Sequence, residues 1–262
     1  MSKFSDEANE KMEHGCTHIH CETWLEFNHF LVEELLDRTE FIWRGHKSTS
    51  WLLQSTLARA FTKKKYRDEK SATDALLNKF KFAARGRRGS NPTRIEDDNE
   101  WWALGQHFGL ATPLLDWTNS PFVAAFFAFF EEKDSGDLDP NRAIFALDQS
   151  SIEKKSKELL NSQIGKDYAI EFYRPMSDEN SRIVSQNGLF SKAPTSIDIE
   201  NWVRRYYKDD KMARLIKITI PESERVSILL SLNRMNINHL TLFPDLIGAS
   251  QFCNTSLEIA RY

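Results

Sequence analysis

The stretch EWWALGQHFGLATPLLDWTNSPFVAAFFAFF, residues 100–130, decides the fold class. Its end has Ser120 followed by Pro121, which is typical of a helix N-cap and first helical position. The Phe, Val and Ala run that follows is apolar on every side, as expected of a helix buried in a core. The piece TPLLDW before it is predicted to be extended. A buried helix therefore follows a short strand.

Outward from this stretch, strand and helix patterns are interspersed without a regular βαβ repeat. An amphipathic helix is predicted behind a cap at Thr23, and FIWRG then reads as a strand that ends near Arg44. Residues 71–84 predict a helix. Later segments predict the strands AIFALD and RLIKITIP and the helices SIEKKSKELLNSQ, PESERVSILLSLNR and one that begins near LFPD. The interspersion predicts an α+β fold.

Composition excludes several classes of protein. The 262 residues are 40% hydrophobic, and 35 Lys plus Arg against 38 Asp plus Glu give a net charge of -3, so any contact with a polyanion must be local. The longest apolar run, 122–130, is less than half of the ~20 residues that cross a bilayer. No membrane partner or secretory signal is expected, and three cysteines form no closed disulfide set. We predict a cytoplasmic protein with a polar leader, 1–22, and one domain, 23–262.

Arg44 is a candidate anion-binding residue, because a strand-end guanidinium next to a glycine can grip phosphates or carboxylates bidentately. A partly buried arginine paired with an acidic neighbour is the alternative. Gly45 permits close approach of a ligand to the backbone.

The segment QHFGLATPLLDWT gathers polar residues between two hydrophobic helices. His107 could act as a general base or ligand donor, and Asp116 lies before a helix whose dipole favours a carboxylate. Asp116 could equally be a cap or pair with an arginine, and Trp117 could stack on a base or simply lie in the core. The polar members of the segment are Gln106, His107, Thr112, Asp116 and Thr118.

Other features point to chemistry less specifically. The cluster HGCTHIHC has no typical zinc spacing, so no metal site is predicted. The basic runs KKKYR at 63–67 and RGRRGSNPTR at 85–94 could track a phosphate backbone or be solvated loops. The common phosphate-loop, dinucleotide, hydrolase and metalloprotease motifs are absent from the sequence.

Four motifs in order carry a resemblance: WRGHKSTSWLLQSTLAR, QHFGLATPLLDWTNSPFVAAFFAFF, RIVSQNGLFSK and LTLFPDLIGA. Together they resemble the FRG domain family over roughly residues 41–250. Trp43 stands where the family's name has Phe, and Arg44 and Gly45 are retained.

The resemblance extends to ADP-ribosyltransferase-like toxins of bacterial toxin–antitoxin and anti-phage systems. It implies a single domain with a mixed or antiparallel sheet of the ADP-ribosyltransferase type, flanked by helices, and NAD as a substrate. By similarity, the implied catalytic residues are Arg44, His107, Asp116 and Asp245. The implied NAD-binding residues are Arg44, Gly45, Gln106, His107, Thr112, Asp116, Trp117 and Gln186.

Two of the roles that the resemblance implies, those of the catalytic acid and of Gln186, are not assigned simply. The usual late Glu-x-Glu arrangement is missing, with only Glu258 near the end, so Asp116 and Asp245 both remain candidate acids. Gln186 could bind an amide or ribose hydroxyl, although Asn187-Gly188 behind it is also a turn signal.

The resemblance therefore implies an NAD-dependent ADP-ribosyltransferase toxin that modifies nucleic acid, RNA in preference to DNA, and is restrained by an antitoxin protein. A protein acceptor is one alternative, and a noncatalytic nucleotide- or nucleic-acid-binding module is another. A nuclease would need clustered carboxylates, for which Asp116, Asp148 and Asp245 are the candidates.

Overall fold

A computed structural model describes residues 12–133, 136–162, 165–175 and 181–262. Its centre is a seven-stranded sheet in the order β1-β7-β4-β2-β3-β6-β5. The strands are β1 (Cys16–His20), β2 (Phe41–His46), β3 (Leu114–Thr118), β4 (Asn141–Asp148), β5 (Glu171–Tyr173), β6 (Gly188–Lys192) and β7 (Leu215–Pro221). β1 runs parallel to β7, and the other neighbours are antiparallel. The predicted α+β class with a mixed sheet is confirmed.

Helices cover this sheet. Their bounds are α1 (Trp24–Phe30, continued by a π-helical turn at Leu31–Leu35), α2 (Thr56–Lys63), α3 (Glu69–Ala83), α4 (Asp98–His107), α5 (Pro121–Phe129), α6 (Gln149–Leu160), α7 (Ser181–Ser185), α8 (Ile199–Tyr206), α9 (Arg225–Arg234), α10 (His239–Leu242) and α11 (Leu246–Glu258). α1 and α5 begin at the predicted caps, because the side chains of Thr23 and Ser120 accept backbone N–H groups of the first turn. Asp245 caps α11 in the same way.

Two large clusters of apolar side chains lie on the two faces of the sheet. Strand alternation separates them, since Trp43 packs with the helix α5 while Ile42 packs with the side chains around α8. Phe126 and Phe129 of α5 are fully buried, as the apolar run predicts. A third, smaller cluster joins α3 and α4 to β3 and β6.

The strands β2 and β3 share a single register pair, Trp43 with Thr118, within the residues described. On its other side β2 pairs with β4 over six residues, Phe41 to His46. The sheet therefore opens beside β2, immediately after Trp43.

Part of the segment predicted as a polar leader, 1–22, joins the sheet. Cys16–His20 form the edge strand β1, in which Ile19 is buried and Cys16 packs against the core. The reason is a short period-2 pattern that a polar composition conceals. Residues 1–11 lie outside the described part of the chain.

Candidate functional site

A cavity of about 400 Å³ lies at the opening between β2 and β3. It brings together residues far apart in the sequence, including most of those that the sequence predicts for a site: Arg44, Gly45, Gln106, His107, Asp116, Trp117 and Gln186. We call it the Arg44 cavity. Its size is typical of a small-molecule site.

Gly45 allows β2 to pack closely against α5 at one wall of the Arg44 cavity. A Cβ on Gly45 would lie 2.0 Å from the carbonyl oxygen of Ala124 and 2.5 Å from the backbone nitrogen of Ala128. Both atoms are backbone of α5 and cannot move aside. The close packing of β2 on α5 therefore requires glycine next to Arg44.

Arg44 fills the gap between the two strands. Its Nη1 donates to the carbonyl oxygen of Asp116 over 2.7 Å and lies 3.6 Å from Oδ2 of the same residue. Its Nε donates to Nε2 of His46 over 2.9 Å, which places the ring proton of a neutral His46 on Nδ1. Burial lowers the pKa of Arg44, and nearby Arg59 lowers it further while Asp116 raises it. The guanidinium stays charged at neutral pH.

Asp116 is held by a chain of polar groups. The Gln106 side-chain amide donates to its Oδ1 over 2.7 Å, and the hydroxyl of Thr112 donates to Oε1 of Gln106. Thr112 is completely buried and lies behind the cavity wall, so it orients Gln106 and does not face a ligand. The Asp116 carboxylate is itself largely exposed, because alternation in β3 turns it away from the core.

His107 is the last residue of α4 and lines the same cavity. Burial lowers its pKa, and Arg182 lowers it further, while Asp245 acts in the opposite direction. The imidazole is therefore neutral at pH 7 and can accept a proton.

Trp117 contributes little of its ring to the cavity. The residue is 3% exposed, its side chain lies in the core cluster on the face opposite Asp116, and its Nε1 donates to the hydroxyl of Ser191 over 2.8 Å. We assign the indole a structural role. The aromatic wall comes instead from Phe127, Phe130 and Phe243, whose rings pack edge to face about Phe127.

Gln186 lines the far side of the cavity. Its side-chain nitrogen donates to the carbonyl oxygen of Leu242, and its own carbonyl accepts from the hydroxyl of Thr118. Asn187 behind it has a positive φ of 47°, so the turn and the lining role occur together.

Asp245 does not line the Arg44 cavity. It caps α11 by accepting from the backbone nitrogen of Gly248, and it forms an ion pair with Arg182, which does line the cavity and lies over the ring of Phe243. The cap hydrogen bond and then Arg182 lower its pKa. Asp245 thus orients a cation of the wall.

Several lining residues were missed by the sequence reasoning. His46 follows Arg44 by two residues on the same strand face, a signal that strand alternation offered. Phe127 and Phe130 share a helix face by their i, i+3 spacing, whereas Arg182 and Phe243 come from distant segments that carry no joint signal.

The remaining candidates lie elsewhere. His18 and His20 both hydrogen-bond the hydroxyl of Thr219, and Cys21 is buried in the core. Asp148 caps α6 and pairs with Arg214, so it does not join Asp116 or Asp245. The basic runs at 63–67 and 85–94 are largely exposed.

The fold and the cavity define an α+β protein with a cavity where its sheet opens. Residues 39–137 match the family model of the FRG domain, which covers less than half of the chain, and this segment belongs to that family. The segment contains Arg44, Gln106, His107 and Asp116, whereas Gln186 and Asp245 lie beyond it.

No curated protein and no solved structure matches the chain. Among the described helices, none has the length and apolarity needed to span a bilayer.

Proposed function

We propose that the protein is an NAD-dependent ADP-ribosyltransferase that transfers ADP-ribose to nucleic acid, RNA in preference to DNA. The observation that carries the proposal is the contact of Arg44 with Asp116 at the opened sheet, with the Gln106 amide holding the carboxylate. A cation and an anion lie side by side there, at the edge of a cavity with an aromatic wall.

This arrangement suits cleavage of the bond between nicotinamide and ribose. The bond electrons leave with nicotinamide, which becomes neutral, and positive charge develops at the ribose C1′. In the proposal Arg44 binds the diphosphate, the phenylalanine wall receives the nicotinamide ring, and Asp116 stabilises the charge at C1′. A nucleophilic nitrogen or oxygen of the acceptor then bonds to C1′ and loses its proton to neutral His107.

The acceptor class and the biological setting remain part of the same proposal. The exposed basic runs at 63–67 and 85–94 supply local positive charge that could dock an RNA strand on a protein of net charge -3. Such an activity would harm the producing cell, so we propose a toxin of a bacterial defence or toxin–antitoxin system, with a protein antitoxin that covers the cavity. The alternative acceptor is a protein.

The test uses radiolabelled NAD with total RNA, DNA fragments and cell lysate in separate reactions. Wild-type protein should label RNA, and Arg44→Ala should not. Arg234→Ala, which changes an exposed arginine of α9 that does not line the Arg44 cavity, serves as the matched control and should label like wild type. Intact NAD and no labelled product with wild-type protein would refute the transferase.

A specific observation favours a second candidate, a noncatalytic nucleotide-binding module. Both candidate acids already have partners. Asp116 accepts a hydrogen bond from Gln106 and pairs with Arg44. Asp245 pairs with Arg182. Binding of NAD without release of nicotinamide in the same reactions would establish this candidate.

A further inference from the structure

A second cavity, of about 450 Å³, adjoins the first at Arg44. We call it the Arg59 cavity. Its lining is Arg44, His46, Ser50, Trp51, Leu52, Gln54 and Arg59. It shares Arg44, His46 and Trp51 with the Arg44 cavity, so a ligand in either one contacts the same guanidinium.

The charge of the Arg59 cavity is positive and poorly balanced. Arg59 donates from Nη1 to the carbonyl oxygen of Gln54 over 2.7 Å, and among the described residues no carboxylate lies within ion-pair distance of it. The carboxylate nearest to Arg44 is Asp116, at 3.6 Å, which faces the other cavity. Among the described residues, only one of the two guanidinium groups, that of Arg44, has a carboxylate within ion-pair distance.

No side chain that lines the Arg59 cavity neutralises this positive charge. Burial lowers the pKa of His46 well below its usual range, and Arg44, Arg59 and Lys217 lower it further, although a backbone contact with Trp51 acts in the opposite direction. The His46 ring is neutral. Its buried Nδ1 lies near the backbone of Trp51 but forms no hydrogen bond within the usual limits of distance and angle. An anion entering the cavity would therefore meet arginines and a neutral imidazole, and no negative side chain of the lining.

One wall is a flat aromatic surface. Trp51 is 50% exposed and Leu52 is 55% exposed, which is unusual for large apolar side chains beside a cavity. The ring of His46 lies 6.0 Å from that of Trp51, and Lys47 approaches the indole at 5.9 Å. A half-exposed tryptophan beside arginines is the combination on which nucleobases stack while their phosphates are bound.

From this juxtaposition we infer that the Arg59 cavity is a nucleotide site, in which Arg59 and Arg44 bind the phosphate of a nucleoside 5′-monophosphate unit and Trp51 stacks on its base. The unit could be one half of a dinucleotide or one residue of a nucleic-acid strand. The site does not depend on the transferase activity, because binding there requires no bond to break.

The experiment is a calorimetric titration of the full-length protein with AMP. Wild type should bind AMP, and adenosine, which lacks the phosphate, should bind at least about tenfold more weakly, since charge-assisted hydrogen bonds to the phosphate are lost. Arg59→Gln and Trp51→Ala should each weaken AMP binding by about tenfold or more. Arg234→Gln is the control and should bind like wild type.

Thermal unfolding of each variant checks that the fold is intact. Absence of AMP binding to wild type, or wild-type affinity in a folded Arg59→Gln, would overturn the inference. If AMP binds and NAD stays intact in the labelling reactions, the nucleotide site stands and the transferase fails. Cleavage of NAD without AMP binding gives the reverse result.

Competition identifies the source of the nucleotide. Displacement of AMP by ADP-ribose, and not by a short single-stranded RNA, assigns the site to a dinucleotide substrate. Displacement by the RNA alone assigns it to the acceptor strand. Both outcomes support a nucleotide site, and AMP that neither competitor displaces contradicts its placement beside Arg44.

Discussion

The two sides of β2 are built in opposite ways. Toward β4 the strand forms six register pairs, and the facing side chains of Ile144 and Phe145 are buried. Toward β3 it forms one pair, after which the Arg44 side chain supplies the hydrogen bond to the Asp116 carbonyl. Backbone groups withdrawn from a ladder need other partners. A single strand can therefore close a core on one side and open a cavity on the other.

The largest effect on both sides of β2 is expected from the substitution Gly45→Val. The added Cβ would lie within 2.5 Å of two backbone atoms of α5, so either the strand or the helix must shift, and both sides of β2 are lost together. We expect the variant to be unfolded or insoluble. Circular dichroism and size-exclusion chromatography measure this, and a folded Gly45→Val with wild-type melting would contradict the packing described.

The core side alone is tested by Ile144→Ala. Ile144 is fully buried in the sheet, and loss of such a side chain costs about 2–5 kcal/mol in free energy of unfolding. Denaturant unfolding measures the loss. Once the folded fraction is taken into account, binding of NAD or AMP per folded molecule should stay unchanged, and selective loss of binding would show that the two sides are not separable.

The pH dependence of stability tests His46, which belongs to both sides. Its backbone pairs with β4, while its ring accepts from Arg44. Because burial, and then the neighbouring cations, lower its pKa in the folded protein, the unfolded chain binds the proton more readily, so stability is complete above the ordinary histidine pKa and falls as the pH drops below it.

Between pH 7.5 and 5.0 the loss from this one proton is at most about 2 kcal/mol. His46→Gln keeps an acceptor for Arg44 and should lose less stability over that interval than wild type, as urea unfolding at both pH values would measure. The half-buried His107 and the buried His239, whose pKa values are also lowered, remain in both proteins and cancel in the comparison. Equal losses in the two proteins would exclude His46 as the titrating group.

The smallest effect on stability is expected from Arg44→Lys. The ammonium keeps the charge but cannot reach His46 and the Asp116 carbonyl together, so the unfolding free energy should change by about 1 kcal/mol. NAD cleavage, in contrast, should fall by about a hundredfold or more. Parallel denaturant and nicotinamide-release measurements give both values. A stability loss as large as that of Ile144→Ala would mean that Arg44 serves the core.

Much of the fold could be predicted from the sequence, because its segments carry local signals. The cap and proline at Ser120 and Pro121, the alternation of RLIKITIP and the polar segment around Asp116 each indicate their element without reference to distant residues. The edge strand β1 was missed because its pattern is short and polar, and β5 has only three residues.

The candidate site could be predicted only in part. Arg44, Gln106 and Asp116 were found because unusual polar residues stand among apolar ones. Trp117 was placed at the wall by resemblance, yet its ring lies on the opposite face, and Asp245 reaches the cavity only through Arg182. No sequence motif predicts the neighbouring Arg59 cavity, because its lining comes from a turn and a helix that meet only in the folded protein.

The sheet order has a consequence for the timing of synthesis. β1 pairs with β7, Cys16 opposite Leu215. The family segment 39–137 lacks the outer neighbours of both its strands, because β2 pairs with β4 from residue 143 onward and β3 pairs with β6 from residue 188 onward. At about 5–20 residues per second, a ribosome takes roughly 10–40 s to add β7 after β1. Chains that end before residue 188 lack both β6 and β7, so the sheet that carries both cavities is completed only late in synthesis.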